Sequence, residues 1–212
     1  MAIENLVSAL QARAYSFAKS ETNPEEHCLS VISLLKEMPF EELLGVESHF
    51  PKLDDNGIVR ALHIEEDLTM TTMRLKKGEC IHLHDHPNMT GVIFALAGQI
   101  QIDAYDVVEK PSDERESFVL RQGATGIIRE GEAGHLTPSR GNVHRVEALE
   151  DTYLLDVFCP PYQGDHERKW FRRAEEPMEN ASEKGVFYEA ELCDPQYVSV
   201  GAFSKECEES VK

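Results

Sequence analysis

From about residue 57 to residue 158 the chain is a succession of short runs rich in β-branched and apolar residues, each closed by Gly, Pro, Asp or Asn. Eight runs read as strands: 58–64, 67–75, 91–97, 99–106, 116–121, 125–130, 142–148 and 151–158. Their close spacing, with no helical stretch between them, predicts an all-β core, an antiparallel sandwich or barrel.

Ahead of this region the pattern is helical. Leu6, Leu10, Ala14 and Phe17 recur at helical spacing. Asn23-Pro24-Glu25-Glu26 reads as a helix start, with Asn as the cap, Pro in the first turn and Glu near the positive end of the dipole. Val31, Ile32, Leu34, Leu35 and Met38 continue that helix until Pro39 ends it, and Phe40 to Leu44 reads as one more short turn. The 212 residues suit one domain with a terminal extension.

The chain carries a formal net charge of −18, which disfavours nucleic-acid backbones and anionic membranes as partners. No apolar stretch approaches the roughly 20 residues of a membrane-crossing helix. The N-terminus lacks the basic start and apolar run of a signal peptide. Cys28, Cys80, Cys159, Cys193 and Cys207 are scattered and form no CxxC, so a reducing, cytoplasmic location and no disulfide framework are expected. No exposed apolar face is evident, and a monomer is expected.

Three of the nine histidines fall within five positions, His82-Leu83-His84-Asp85-His86. On a regular strand these histidines share one face and Asp85 points away. Neighbours two apart stand roughly 6–7 Å from each other, near enough for both rings to reach one ion, whereas His82 and His86 stand about 13 Å apart. All three therefore cannot easily serve the same ion, and further ligands must come from elsewhere in the fold.

The residues around the cluster resemble the first cupin motif. Gly78 and five residues precede His84-Asp85-His86, four residues lead to Gly91, and six more to Gly98. Gly131 to His144, with Pro138 and Gly141, resembles the second motif, with about one extra residue of spacing. The resemblance implies a cupin double-stranded β-helix (jelly-roll) with N-terminal α-helices outside it, and His84, His86 and His144 as metal ligands. His135 is the rival third ligand. Many cupins place a glutamate ligand where Gly91 stands, so the implied ligand set is three neutral imidazoles. Such a set leaves open positions on a six-coordinate ion for a chelating substrate and O2.

The string His84-Asp85-His86-Pro87-Asn88-Met89 resembles the core motif of the cysteamine dioxygenase and plant cysteine oxidase family. Gly141-Asn142-Val143-His144 resembles its third-histidine segment, and Asp156-Val157-Phe158-Cys159-Pro160-Pro161-Tyr162 its Asp-x-x-x-Pro-Pro-Tyr strand end. This implies a non-haem Fe(II) thiol dioxygenase that converts cysteamine or a protein N-terminal cysteine to a sulfinic acid with O2. Residues 1–50 would then be a helical extension, 51–203 the catalytic domain and 204–212 an acidic tail. Asp156 becomes a candidate partner for the substrate amine, or a structural hydrogen-bonding group. Tyr162 either lines the pocket or packs.

Three positions depart from the family pattern. Asn88 replaces a glycine, and Asn is among the residues that tolerate left-handed backbone best. His82 replaces a proline and is expected beside the site rather than on the ion. Animal members carry a Cys and a Tyr able to cross-link where this chain reads Arg168-Lys169-Trp170-Phe171-Arg172-Arg173, a basic run expected to form a solvated strand face or to steer an acidic peptide. His27, His49, His63 and His166 read as ordinary polar positions. Two other readings stay open: a metal-binding cupin without redox chemistry, and a cupin dioxygenase of a non-thiol substrate. A thiol carboxylic acid substrate would call for an arginine near the metal, and the sequence alone does not place one there.

Overall fold

The computed structural model describes residues 3–49, 54–55, 59–112, 116–161, 168–178 and 185–193. Tyr162, His166, Cys207 and the 204–212 segment lie outside the described residues, as does the side chain of His49.

Helix α1 (Ile3–Ala18) buries Leu6, Leu10 and Ala14 of the expected stripe together with Ile3, and packs Phe17, partly buried, against the same core. Helix α2 (Pro24–Glu37) starts where the sequence places it: the Asn23 side-chain oxygen accepts the Glu26 N–H at 2.9 Å. It stops at Met38, before Pro39, and α3 (Phe40–Leu44) follows. One expectation fails here. His27 is not an ordinary polar position but is 2 % exposed, with its ring stacked on Phe17 at 4.5 Å. Burial pushes its pKa down to about 4. His27 sits one helical turn before Val31, on the buried stripe it shares with Cys28 and Leu35.

Twelve strands follow: β1 (Asp54–Asp55), β2 (Val59–Ile64), β3 (Thr69–Leu75), β4 (Cys80–Asp85), β5 (Thr90–Ala97), β6 (Gln99–Glu109), β7 (Phe118–Arg129), β8 (Ala133–Leu136), β9 (Val143–Ala148), β10 (Thr152–Cys159), β11 (Trp170–Arg173) and β12 (Phe187–Cys193). Two expected strands, 116–121 and 125–130, are one. The Gly-containing stretch between them reads as a turn, but β7 continues through it with a bulge against β6, and Gly123 stands against the Ala104 carbonyl. The sequence reading missed β1, β8 and β12.

One sheet runs β1-β2-β3-β10-β5-β8; the other runs β11-β12-β7-β6-β9-β4 and closes on itself, because β11 pairs with both β12 and β4. All pairings are antiparallel, and strands distant in sequence lie side by side, as β3 with β10 and β4 with β9. This is the cupin double-stranded β-helix, with the N-terminal helices on the outer face of the first sheet.

Strand β10 shows how the layers are made. Tyr153, Leu155, Val157 and Cys159 point outward into one apolar cluster with Leu6, Leu10, Val31 and Leu35 of the helices. Leu154, Asp156 and Phe158 point inward, between the sheets. Both faces are buried, so the strand reads as a continuous apolar run, and Asp156 stands out within it.

Candidate metal centre

The space between the sheets is filled at one end by Met73, Leu75, Ile81, Ala95, Ile100, Val146 and Leu154. It opens into a cavity of about 300 Å³ whose wall includes His84, His86, His144, Asp156, Phe158, Arg168 and Trp170.

His84 on β4 and His144 on β9 are register partners across an antiparallel pair, which brings residues 60 apart in the sequence side by side. His86 follows the end of β4. Asn142 clasps its backbone: Asn142 Nδ2 donates to the His86 carbonyl at 2.7 Å, and the His86 N–H donates to Asn142 Oδ1 at 3.3 Å. The next turn carries Asn88 at φ 58°, the left-handed conformation its side chain tolerates.

The potential ligand atoms of the three imidazoles lie within 4.8 Å of one another. The His84 and His86 Nε2 atoms are 3.1 Å apart. His84 Nδ1 is 2.7 Å from the His82 carbonyl, so the ring carries its proton there and turns a bare Nε2 inward. His144 is tied to the Gly141 backbone. Burial lowers the pKa of all three rings, that of His144 to about 4, and the Arg168 charge adds to the effect. They are therefore neutral at physiological pH, the form that binds metal. Three convergent neutral imidazoles in a buried cavity fit a divalent transition metal.

His82 does not share the face of His84 and His86. The β4–β9 register slips between Ile81 and His84, so Ile81 and His84 both point inward although three apart. The bulge breaks the period-two alternation. The His82 ring turns to Cys80 Sγ, 3.9 Å away, and its contribution to the site is its carbonyl. His135, the rival third ligand, lines the cavity but its Nε2 lies 2.9 Å from Glu25 Oε1 on α2. It is not part of the imidazole cluster.

Gly91 is the register partner of Phe158 on one side and of Leu136 on the other. A Cβ at Gly91 would meet the Phe158 ring at 2.7 Å and Leu136 at 3.2 Å. That ring stacks on His86 at 4.8 Å and 17°. The place where the cupin pattern sets a carboxylate is thus filled by an aromatic ring from the opposing strand.

Asp156 is 7 % exposed, and its Oδ1 has no hydrogen-bond partner among the described residues. Burial raises its pKa to about 7, with Arg168 acting in the opposite direction. A carboxyl this desolvated and aimed into a cavity is suited to hold a cationic or hydrogen-bond-donating group.

Arg168 and Trp170 line the cavity, a placement that the sequence reading of this basic run missed. The run 168–173 is not simply a solvated face. The Lys169 N–H donates to Asp85 Oδ1 at 2.7 Å, and the Asp85 N–H donates to the Lys169 carbonyl at 3.0 Å. This sews the start of β11 to β4 and sets Trp170 against the His84 ring at 5.2 Å. Nothing in the local sequence announces it, because the contact joins residues 84 apart. Phe158 was findable, since alternation along β10 gives it the direction of Asp156.

A family model described as PCO_ADO matches residues 22–205. The chain belongs to the PCO_ADO family. Among curated relatives it is 31% identical over 144 residues to the 2-aminoethanethiol dioxygenase of Mus musculus, covering 57% of this chain and 56% of that protein. It is 30% identical over 124 residues to plant cysteine oxidase 1 of Arabidopsis thaliana, covering 57% of this chain and 42% of that one. The chain spans about half the length of the curated relatives it matches. An RmlC-like cupin from Desulfovibrio desulfuricans aligns over 53% of this chain and 91% of its own, at 18% identity and a TM-score of 0.38. No helix among the described residues of this PCO_ADO member is long and apolar enough to cross a membrane.

Proposed function

We propose that this chain is an iron-dependent thiol dioxygenase, converting an amine-bearing thiol and O2 to the sulfinic acid. The balance is R–SH + O2 → R–SO2H, with both oxygen atoms transferred to sulfur. The observation that carries the reading is the convergence of His84, His86 and His144, buried and neutral, on a cavity that also holds the inward Asp156. Membership of the PCO_ADO family supports it, as do relatives named 2-aminoethanethiol dioxygenase and plant cysteine oxidase.

His84, His86 and His144 would hold Fe(II), which supplies the affinity for thiolate and the one-electron chemistry that lets ground-state O2 react. The chain's own residues do the rest. The His82 carbonyl and the Gly141 backbone fix the tautomers and orientation of two rings, and Asn142 fixes the backbone of the third. Phe158, Val92, Ile93, Ile102 and Val146 keep the cavity apolar. Asp156 receives the substrate amine as a hydrogen-bond or ion-pair partner, which orients a thiol two carbons away. Cysteamine and a protein N-terminal cysteine both present this amine–thiol head group. Tyr162, which lies outside the described residues, is carried as a candidate pocket residue.

The test is O2 consumption with mass-spectrometric detection of a two-oxygen product, on Fe(II)-loaded protein given cysteamine and, separately, a peptide beginning with Cys. Turnover of either supports the reading, and Asp156→Asn should lower kcat/KM by about 10²-fold or more while leaving iron content intact. Metal retained with no uptake on either thiol would refute it, leaving a non-redox metal cupin or a non-thiol dioxygenase.

A further inference from the structure

We propose that Arg168 makes this cavity a reader of a carboxylate carried close to the thiol of its substrate. The inference rests on the thiol dioxygenase reading and adds a specificity element to it.

Among the described residues the cavity wall holds two formally charged side chains, Asp156 and Arg168. Arg168 is the cation of that wall. Its position is built, since the paired backbone contacts of Lys169 with Asp85 fix the segment one residue away. Its guanidinium lies 5.5 Å from the centre of the Trp170 ring, and that ring lies 5.2 Å from His84. The indole thus forms a ledge running from the imidazole cluster to the arginine.

The three features then match three groups of one small molecule. The imidazole cluster takes sulfur, Asp156 takes the amine, and the planar guanidinium fork takes a carboxylate by two parallel hydrogen bonds. Cysteamine lacks the third group. A carboxylate can come from two sources: the α-carboxylate of free cysteine, or an acidic side chain directly following an N-terminal cysteine. The amine–thiol head group is the same in both.

The test uses Co(II)-loaded protein without O2, following thiol binding by visible absorption. Two matched pairs separate the sources: cysteine against cysteinamide, and Cys-Asp against Cys-Asn, both dipeptides C-terminally amidated. The proposal expects the acid of at least one pair to bind about tenfold or more tightly than its neutral partner. Preference in the first pair identifies free cysteine, and preference in the second an acidic peptide. Arg168→Gln should erase that preference and Arg168→Lys should retain part of it. Each variant is first checked for an unchanged Co(II) spectrum before thiol is added. Acid and neutral partners binding within twofold in wild type, or a preference surviving Arg168→Gln, would overturn the role of Arg168. That outcome leaves the dioxygenase reading standing, whereas five thiols (cysteamine included) that all leave the Co(II) spectrum unchanged would overturn both.

Discussion

Gly91→Ala is the smallest change that probes why this centre has three imidazoles and no carboxylate. Gly91 pairs across β5–β10 with Phe158 and across β5–β8 with Leu136. The added methyl would sit 2.7 and 2.9 Å from two atoms of the Phe158 ring and 3.2 Å from Leu136 Cγ. The ring cannot give way freely, because it stacks on His86. Overpacking of this kind costs about 1–3 kcal/mol. In a chain of this length each kcal/mol lowers Tm by about 2–4 °C, so the expected fall is roughly 2–12 °C by scanning calorimetry. Any tilt passed to His86 should also weaken metal binding, by about 10-fold or more in a competitive chelator titration. Phe158→Leu removes the ring, and in that background Gly91→Ala should lose at least half of its cost. The difference is a coupling energy measurable by a double-mutant cycle. A Gly91→Ala protein with the Tm of the wild type, or an equal cost in both backgrounds, would refute the argument that Phe158 occupies the carboxylate's place.

Substituting His84, His86 or His144 by Ala should each remove most bound metal by elemental analysis, whereas His82→Ala should retain it, because the group His82 offers is a backbone carbonyl. Asn142→Ala keeps every imidazole yet unclasps the His86 backbone, so metal affinity should drop about 10–100-fold by chelator competition. His27 gives a pH signature away from the metal centre. Its pKa is about 4 in the fold and about 6.5 unfolded, so the unfolded chain takes up a proton first as pH falls. Stability from this group is therefore present above pH 6.5 and is lost progressively towards pH 4, with a slope of about 1.4 kcal/mol per pH unit. His27→Phe should flatten urea-derived stability across that window by one proton relative to wild type, and equal slopes would refute it.

What was readable in advance depended on the range of the interaction that fixes each feature. The Asn23 cap, the α1 stripe and the left-handed turn at Asn88 are decided within a few residues, and each is found where the sequence sets it. The gathering of His84, His86 and His144 was legible through the spacing of glycines around them, which marks a known fold rather than a local physical rule. Features set by strand register were not legible. The bulge at residues 82–83 moves His82 off the shared face, and no residue type there signals it. The bulge in β7 makes one strand of two, and the four-residue β8 is too short to show a period.

Register also explains why the departures in this centre belong together. Gly91, Phe158 and Leu136 sit on three adjacent strands at one level, so a carboxylate at 91 and an aromatic ring at 158 compete for one space. With that space filled by the ring, the three histidines would bring no negative charge to an ion they held, and under the proposed function a thiolate substrate would supply it. Arg168 lines the same cavity from the segment leading into β11, which Asp85, the residue between two of the histidines, holds at Lys169. Asp85 faces away from the imidazoles as the alternation predicts, and that direction lets it anchor β11. The string His84-Asp85-His86 thus does two jobs at once: its even positions gather the imidazoles, and its odd position fixes the segment before β11 that carries the cavity's cation. Asp85→Asn, which weakens the Lys169 clamp without touching an imidazole, should therefore erode the carboxylate preference assigned to Arg168 more than it erodes metal content. Comparing Co(II) retention with the acid-to-amide binding ratio measures both, and a variant that loses metal while keeping the ratio would show that Asp85 serves the histidines instead.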